Sequence, residues 1–427
     1  MTTDQNYQQI YRVGGMLDAG FVGQITYTIS LDQVYDELDI HFSFDKRLYS
    51  ESDVTPELID RLQTLCTAKY DAPTYPVEEF RQTILHEMKT EIHTMAELND
   101  DFIGCIHRQL TDRHMLYTKE FTSDGCLAQD TFSGVLKVTV LVFNVLLDNT
   151  QYTLTVSGHP VGHGVIAPNF NLMDTVKTAA GNAGASNAAG SADNSCDAES
   201  APASAVATAG SSDVSGAGSA AMAGDSSTTG SSSAGNTVTA STRFKRLELH
   251  NHTVESDGSL TCQELTEYLA ADHVDAFAIT DHNTTSGQKK IEQLLEEKHY
   301  PISLIRGMEY TTYFGHILCL NLSKYVPWNS IDQHRPELLF EAARKKGALV
   351  GIAHPFSYGD PFARGCRFEM TISDYSKVDF IEIFNNPEPL HEVNERGTNL
   401  WMSLIFSGYQ ITATSGMDLH NRAKLAG

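Results

Sequence analysis

Short runs of histidine and acidic residues occur in the C-terminal part of this 427-residue chain. Imidazole nitrogens and carboxylate oxygens are ligands of divalent transition metals. His250 and His252 are separated by one residue, and residues i and i+2 of an extended chain point to the same side. Both rings can therefore reach one cation at roughly 2.0–2.1 Å. Taken alone, the pair is a weak signal for metal binding.

Further candidate ligands follow in order along the chain. Asp257 lies in a Ser-Asp-Gly turn, where an Asx-turn that supports the backbone is the alternative role. Asp281 and His282 end a predicted strand and fit either a ligand with its partner or a cap of the next element. Glu309 follows the next predicted strand, where a carboxylate can bridge two cations. The remaining candidates are His316, His354, Asp418 and His420.

These candidate ligands are more informative together than any one of them is alone. Six histidines and three acids lie beside predicted strands of one part of the chain, mostly at C-terminal strand ends. Nine ligands exceed what one four-coordinate ion needs. The set therefore predicts two or three divalent ions about 3.5–4 Å apart, as in metal-assisted hydrolysis. This mixture of donors suits Mn, Zn or Fe.

The elements that must position these side chains alternate between strand and helix. Predicted strands lie at 246–250, 276–280, 303–306, 316–320, 348–353, 380–384 and 410–414. Predicted helices lie at 261–271, 287–298, 333–346 and 394–406. Such alternation predicts an α/β fold with a parallel sheet and is compatible with a barrel. In barrels the chemistry lies at the C-terminal ends of the strands, where most of the candidates fall.

Residues 178–242 consist mostly of Ala, Gly, Ser, Thr and Asn, without Lys, Arg, Leu, Ile or aromatic residues. Such a segment buries too little apolar surface to fold, so it predicts a disordered linker between residues 1–177 and residues 243–427. The pattern of residues 1–177 predicts a small, mainly-β, sandwich-like domain. Its predicted strands lie at 24–30, 38–44, 134–147 and 152–157, and its predicted inserted helices lie at 55–66 and 77–88. Its scattered histidines are interpreted as ordinary structural or surface residues: His86, His93, His107 and His114.

Charge and composition argue against several classes of protein. The chain has 30 Lys and Arg residues against 54 Asp and Glu residues, a formal net charge of −24. This balance disfavours stable binding of nucleic acid or of anionic membranes, which both favour a basic surface. There is no run of eighteen apolar residues, and the first residues lack a secretion signal. The seven cysteines are scattered without a CxxC pair, so a reducing cytoplasm is the expected location.

At the candidate ligands the sequence resembles the PHP family (polymerase and histidinol phosphatase), over about residues 244–427. The matching motifs are His250-Asn-His252, Glu255-Ser-Asp257-Gly258, Thr280-Asp-His282-Asn283, Gly307-Met-Glu309, Ala353-His354-Pro355 and Asp418-Leu-His420. Within the family, Glu309-Tyr-Thr-Thr-Tyr-Phe-Gly-His316 and Cys366-Arg-Phe-Glu369 look most like the CehA/McbA-type metallohydrolase branch. That branch commonly has an N-terminal β-sandwich, in agreement with the strand pattern of the first part.

The resemblance implies a distorted (β/α)7 barrel of the PHP type with up to three ions. Carried over residue by residue, it implies a first ion held by His250, His252, Glu309 and Asp418. It implies a second ion held by Glu309, His316 and His354, with Glu309 bridging, and a third held by Asp257, His282 and His420. The chain ends seven residues after His420, whereas family members usually continue. The C-terminal domain is therefore expected to be truncated or to close differently.

These features together predict a multinuclear metal-dependent hydrolase. The leading hypothesis is a phosphoesterase that acts on a small phosphorylated substrate, such as a nucleotide or an oligonucleotide end, through a metal-activated hydroxide. A carbamate or amide hydrolase on the same metal site is the first alternative, since the resembled branch is named for such activity. A non-catalytic metal-binding accessory module is the second.

Glu309 and Asp281 are the predicted catalytic residues. Asp281 would relay a proton or, as the preferred role, orient His282. The partner expected for the protein is a small anionic substrate, and no membrane partner is expected. The candidates for binding that substrate are Arg364 and Asn283, with Arg367 and Arg306 as alternatives to Arg364.

Overall fold

The computed structural model describes residues 7–161, the backbone of 171–178, and residues 244–332, 334–386 and 390–422. The predicted linker, 178–242, lies outside the described residues except for its first position. The parts of the chain on either side of it belong to one compact unit. The first part is rich in strands and is named the β-rich half, and the second contains a seven-stranded sheet and is named the barrel half.

The β-rich half is an antiparallel sheet with two helices inserted between its second and third strands. Its described strands are β1 (Gln8–Leu17), β2 (Gly23–Phe44), β3 (Glu91–Leu98), β4 (Asp101–Ile106), β5 (Asp112–Tyr117), β6 (Phe132–Asn144), β7 (Thr150–Pro160) and β8 (Asn171–Thr178). The helices are α1 (Pro56–Tyr70) and α2 (Val77–Glu87). The first part of β2 pairs with β6 and its last part with β5 and β7, so the sheet folds over an apolar core.

The barrel half confirms the predicted α/β alternation, since every predicted strand and helix overlaps an observed one. Its strands are β9 (Leu247–Glu248), β10 (Ala276–Ile279), β11 (Ser303–Thr312), β12 (Gly315–Leu320), β13 (Leu349–Ile352), β14 (Phe380–Asn385) and β15 (Thr412–Gly416). Its helices are α3 (Cys262–Ala271), α4 (Ser286–Lys298), α5 (Glu337–Arg344) and α6 (Glu392–Phe406). No helix in the described ranges is both long and apolar enough to cross a membrane.

The seven strands of the barrel half lie side by side in chain order. β9 to β11 are parallel to one another, as are β13 to β15, whereas β12 runs antiparallel to both of its neighbours. A parallel bridge between Asn251 and Leu419 joins the segments that follow β9 and β15, so the sheet is nearly closed. This is the predicted distorted barrel, and the tight β11–β12 hairpin is the distortion. The carboxyl ends of the parallel strands meet at one rim.

Apolar side chains of both halves share one buried cluster. Phe102 and Phe143 of the β-rich half are buried in the same cluster as Tyr310 and Trp328 of the barrel half. The Arg108 guanidinium of the β-rich half also donates a hydrogen bond of 2.7 Å to a backbone carbonyl of the barrel half. Each fully buried large apolar side chain contributes about 1.5–3 kcal/mol, so several of them stabilise such an interface by several kcal/mol. The β-rich half is therefore fixed beside the rim and can contribute side chains to it.

Candidate metal centre

Glu309, in β11, lies at the centre of the rim and is fully buried. Its two carboxylate oxygens lie 2.9–3.3 Å from imidazole nitrogens of five histidines: His250, His252, His282, His316 and His354. A carboxylate offers about four lone-pair directions, so it cannot serve five N–H donors at once. This excess of ring nitrogens over acceptor positions is expected of ligands that surround cations.

The acids of the rim stay ionised although Glu309 is buried and Asp257 and Asp418 are half-buried. Burial raises the pKa of a carboxyl group, but the charges of the neighbouring histidines outweigh it at Glu309, whose pKa lies well below its usual value. Histidines likewise hold the pKa of Asp257 and of Asp418 well below the usual range against the effect of burial. The three carboxylates are therefore in the ionised form that ligates divalent cations.

Three overlapping groups of side chains bring their ligand atoms close enough to share a cation. They are His250, His252 and Asp418; His250, Glu309 and His354; and His252, Asp257, His282 and His420. His316 joins them through its 2.9 Å contact with Glu309. The structure thus brings all nine predicted ligands into one connected network, while their division among individual ions stays a prediction.

Unbonded ring nitrogens show that these residues fit divalent ions. Nε2 of His316 and Nε2 of His252 are buried, and neither has a hydrogen-bond partner in the part of the chain that the structure describes. A buried polar atom without a partner costs roughly 1–3 kcal/mol. A transition ion beside these imidazoles and carboxylates offers the missing partner, because imidazole nitrogen is one of its preferred ligands.

Three residues of the rim have strained backbone conformations. Asn283, His354 and Asp418 have φ angles of 53°, 26° and 49°, a left-handed conformation that non-glycine residues rarely adopt. Each such residue costs roughly 1–3 kcal/mol and persists only where the surrounding structure enforces it. Two of the three are predicted metal ligands, so the strain marks the place where the chain turns side chains into the site.

The residues that orient the ligands were missed by the sequence analysis. Glu382, buried in β14, accepts a 2.9 Å hydrogen bond from Nδ1 of His250 and a 3.0 Å bond from the backbone N–H of His354. The Thr311 hydroxyl lies 2.5 Å from Nδ1 of His282. Such partners fix the ring orientation of metal-ligating histidines. The signal that could have found Glu382 is its place as the single acid in an apolar strand.

Glu382→Gln is expected to weaken metal binding by roughly 10–100-fold, because the neutral amide no longer fixes and polarises the His250 ring. A competition titration against a coloured chelator measures the affinity. Glu337→Gln is the matched control, since Glu337 is also buried but bonds Ser373 instead. Equal affinities in the two variants would contradict the orienting role.

Two residues with predicted chemical roles make hydrogen bonds that stabilise the loops of the rim. Asp281 accepts hydrogen bonds from the backbone and hydroxyl of Thr253 at 2.7 and 2.8 Å and from the Ser256 hydroxyl at 2.7 Å. It therefore holds the loop that carries Asp257. Within the part of the chain that the structure describes, its hydrogen bonds go to that loop and not to the His282 ring, and its role in catalysis stays a prediction. The Asn283 amide bonds the backbone C=O and N–H of Thr311 at 2.9 and 3.1 Å, a contact that differs from the predicted one with substrate.

The three candidate arginines lie in different surroundings. Arg364 lines a cavity together with predicted ligands of the rim and bonds Asp360 at 2.8 Å. Arg367 lies over the rings of Tyr70 and Phe356, and Arg306 pairs with Glu292 on another surface. Among the three, Arg364 alone is placed to meet a ligand in the cavity.

The β-rich half supplies one wall of this cavity, through Lys89, Glu91, His107 and Gln109. The His107 ring stacks on His282 with 4.2 Å between centroids, and its Nε2 lies 3.6 Å from Asp257. The interpretation of His107 as an ordinary structural or surface histidine missed this position. No local pattern around His107 indicates it, because the contact depends on how the two halves pack.

Residues 7–160, the β-rich half, match a family model described as a family of unknown function (DUF6669). The 5′-3′ exoribonuclease Rnm of Escherichia coli (strain K12) is 34% identical over 133 residues, which cover 28% of this chain and 45% of that protein. The uncharacterized protein MJ1587 of Methanocaldococcus jannaschii is 30% identical over 112 residues, 26% of this chain and 58% of that protein. The chain thus spans about half the length of these curated relatives.

A solved structure that matches part of the chain is a two-domain protein of Bacteroides vulgatus that contains a predicted PHP-like metal-dependent phosphoesterase. The TM-score is 0.33 and the identity 20%, over 42% of this chain and 53% of that chain. A likeness at this distance does not identify an activity. Neither this structure nor the two relatives distinguish the CehA/McbA-type branch from the rest of the PHP family.

Proposed function

We propose that this protein is a metal-dependent hydrolase of the PHP type, a phosphoesterase that acts on a small phosphorylated substrate. The observation that carries the proposal is the buried Glu309 carboxylate with five imidazoles at 2.9–3.3 Å. The nine rim residues would hold two or three divalent ions, Mn, Zn or Fe. The β11–β12 hairpin supports the CehA/McbA-type branch, because pairing of Thr311 with His316 brings this histidine onto Glu309.

Divalent ions held at the rim supply Lewis-acid activation of water and of the substrate's oxygens. The protein's own residues bind and orient. Glu309 balances positive charge at the centre of the ligand set, and Glu382 keeps His250 in place through its Nδ1 hydrogen bond. His107 packs over His282 and helps to exclude bulk water, which strengthens electrostatic interactions inside the site.

Two cationic side chains favour a phosphate over a neutral carbamate. Arg364 bonds Asp360 through one terminal nitrogen, but its Nε is buried and has no hydrogen-bond partner among the described residues. Lys89 reaches the same cavity from the β-rich half. Guanidinium and ammonium groups form strong charge-assisted hydrogen bonds with phosphate oxygens. In a chain with a net charge of −24, two cations beside an acidic centre support an anionic substrate.

The size of the cavity favours recognition of a substrate's end. Its volume is about 230 Å³, less than the roughly 300–1,000 Å³ of pockets that enclose a drug-sized ligand. A terminal phosphate with its attached sugar is a better fit than the interior of a polymer. The name of the relative Rnm, a 5′-3′ exoribonuclease, supports a nucleotide or an oligonucleotide 5′ end. The acidic balance still disfavours stable binding of long nucleic acid.

The test is a substrate panel on protein loaded with Mn²⁺ or Zn²⁺. The panel contains p-nitrophenyl phosphate, nucleoside bisphosphates, a 5′-phosphorylated oligonucleotide and an aryl carbamate. We expect hydrolysis of phosphate esters and none of the carbamate. Hydrolysis of the carbamate alone would replace the phosphoesterase with the carbamate or amide hydrolase. Bound metal without hydrolysis of any substrate would favour an accessory module.

Arg364→Met is expected to raise KM for a phosphate substrate by roughly 10–100-fold, because a hydrogen bond to a charged group contributes about 1.5–3 kcal/mol. Steady-state kinetics and metal analysis measure the effect, and the metal content should stay unchanged. Lys89→Met is expected to act in the same direction. Arg367→Met serves as the control, since its guanidinium lies over aromatic rings. The same KM in Arg364→Met and in this control would exclude anion binding by Arg364.

A further inference from the structure

We infer that Glu91, His93 and His107 form a second metal site, carried entirely by the β-rich half and lying beside the rim of the barrel. Two imidazoles and one carboxylate are a donor set that Zn²⁺ and Fe²⁺ favour. None of the three belongs to the nine rim ligands, so the site does not depend on the proposed hydrolysis.

The register of β3 and β4 places these side chains together. The two strands pair as an antiparallel hairpin whose last recorded pair joins Thr94 to Ile106. Continuing this register by one residue sets His93 opposite His107, and by three residues it sets Glu91 opposite Gln109. Alternate residues of a strand point to the same face. The four side chains therefore share one face of the hairpin, the face that meets the barrel half.

The three side chains are close together and shielded from water. Their ligand atoms all lie within 4.8 Å of one another. Glu91 Oε1 lies 3.2 Å from His93 Nε2, and the rings of His93 and His107 have centroids 3.9 Å apart. The exposed fractions of Glu91, His93 and His107 are 7%, 0% and 5%. A buried polar cluster of this kind requires partners for its donor and acceptor atoms.

Some polar atoms of this cluster have no hydrogen-bond partner within the described residues, and others have partners whose hydrogen-bonding requirements conflict. Nδ1 of His93 and Nδ1 of His107 are buried without a hydrogen-bond partner in the described ranges. Gln109 Nε2 lies 3.3 Å from His93 Nε2, the same nitrogen that faces the Glu91 carboxylate. One ring nitrogen cannot accept from an amide and donate to a carboxylate at the same time. A cation bound between His93 Nε2 and the Glu91 carboxylate removes the conflict, because the ring nitrogen then gives its lone pair to the ion and takes part in neither hydrogen bond.

The site would have an open position toward the cavity. Three protein ligands leave a tetrahedral ion with a free position, as in catalytic and unlike structural zinc sites. Glu91 and His107 line the same cavity as Arg364. An ion held there would add positive charge to the cavity wall opposite the barrel and would bind an anionic group of the ligand.

The new site is adjacent to the rim cluster, yet the two can be tested separately. Their contact is the stacking of His107 on His282 and the 3.6 Å approach of His107 to Asp257. Glu91 and His93 are therefore the positions to change, because within the described ranges neither has a hydrogen bond, ion pair or ring contact with a rim ligand.

The test counts zinc in the purified full-length protein after loading with Zn²⁺ and removal of free metal. His93→Asn and Glu91→Gln are each expected to contain one zinc ion per chain less than the wild type. Glu309→Gln is expected to lose rim ions and to retain this one. His86→Asn is the control, since His86 is an exposed histidine of α2 in the same half. Its zinc content should equal that of the wild type.

A His93→Asn protein that is folded by circular dichroism and holds as much zinc as the wild type would overturn the inference. If this variant does not fold, the isosteric Glu91→Gln variant decides, through the loss of part of the visible absorption of Co²⁺-loaded protein. An unchanged Co²⁺ spectrum would also overturn it. Wild-type zinc content in Glu309→Gln would instead contradict the proposed rim site and leave this inference standing.

Discussion

Replacing Glu309 with glutamine is expected to lower turnover by roughly 10³-fold or more and to remove ions from the rim. The carboxylate contacts five imidazoles from four segments of the chain, so its charge is shared by the whole ligand set. Metal ions contribute several kcal/mol of transition-state stabilisation, and each 1.36 kcal/mol corresponds to a factor of ten in rate. Glutamine keeps the shape of the side chain but cannot balance the charge of two cations.

Measurement of kcat on a phosphate ester and of metal per chain tests this expectation. Glu337→Gln is the matched control, because it neutralises a buried glutamate of the same half that lies at α5 and bonds Ser373. The control should keep both activity and metal. A folded Glu309→Gln protein with wild-type turnover would show that the rim is not the site of hydrolysis.

Removal of the metal with a chelator is expected to abolish hydrolysis and to lower the melting temperature. A ligand that binds only the folded state stabilises it by about 2.7 kcal/mol at a hundredfold excess over its Kd. For a chain of this size that corresponds to a fall in Tm of roughly 3–4 °C for each ion removed. The physical cause is that the ring nitrogens of His316 and His252 lose the metal ion as their partner and become buried polar atoms without one.

Differential scanning calorimetry and an activity assay before and after chelation measure both effects, and addition of Mn²⁺ or Zn²⁺ should restore them. The Glu309→Gln protein is the control, because it has already lost rim ions and should show a smaller fall in Tm. Full activity in protein shown to be free of metal would contradict a metal-dependent mechanism.

The proposed site is assembled from both halves of the chain. The rim supplies the nine predicted ligands, while Lys89 and His107 form the opposite wall of the cavity. A shared aromatic core holds the halves together, so the wall has a fixed place relative to the rim. The β-rich half therefore takes part in shaping the site, a role that the sequence alone did not indicate.

The barrel half was predicted well because its pattern is local. Each strand is a short apolar run, and each helix has apolar residues at helical spacing, so the existence and order of the elements follow from neighbouring residues. Their boundaries do not, since β11 extends six residues beyond its predicted end at 306. The β-rich half was predicted less completely. β3 carries Glu91 and His93 among apolar residues and is buried along its whole length, which obscures the alternation typical of a strand. β2 was divided into two predicted strands because polar residues interrupt it where its register shifts.

The sequence by itself determined which side chains are candidate metal ligands and that most of them lie near strand ends, although Glu309 lies inside β11 and not after it. Ligand type and local spacing are properties of neighbouring residues, so His250, His252 and Glu309 were recognisable without a structure. Only the tertiary structure decided which distant residues join them. Glu382 meets His250, and His107 meets Asp257, through contacts 132 and 150 positions apart along the chain. Such contacts depend on strand order and on packing between the halves, which no local pattern specifies.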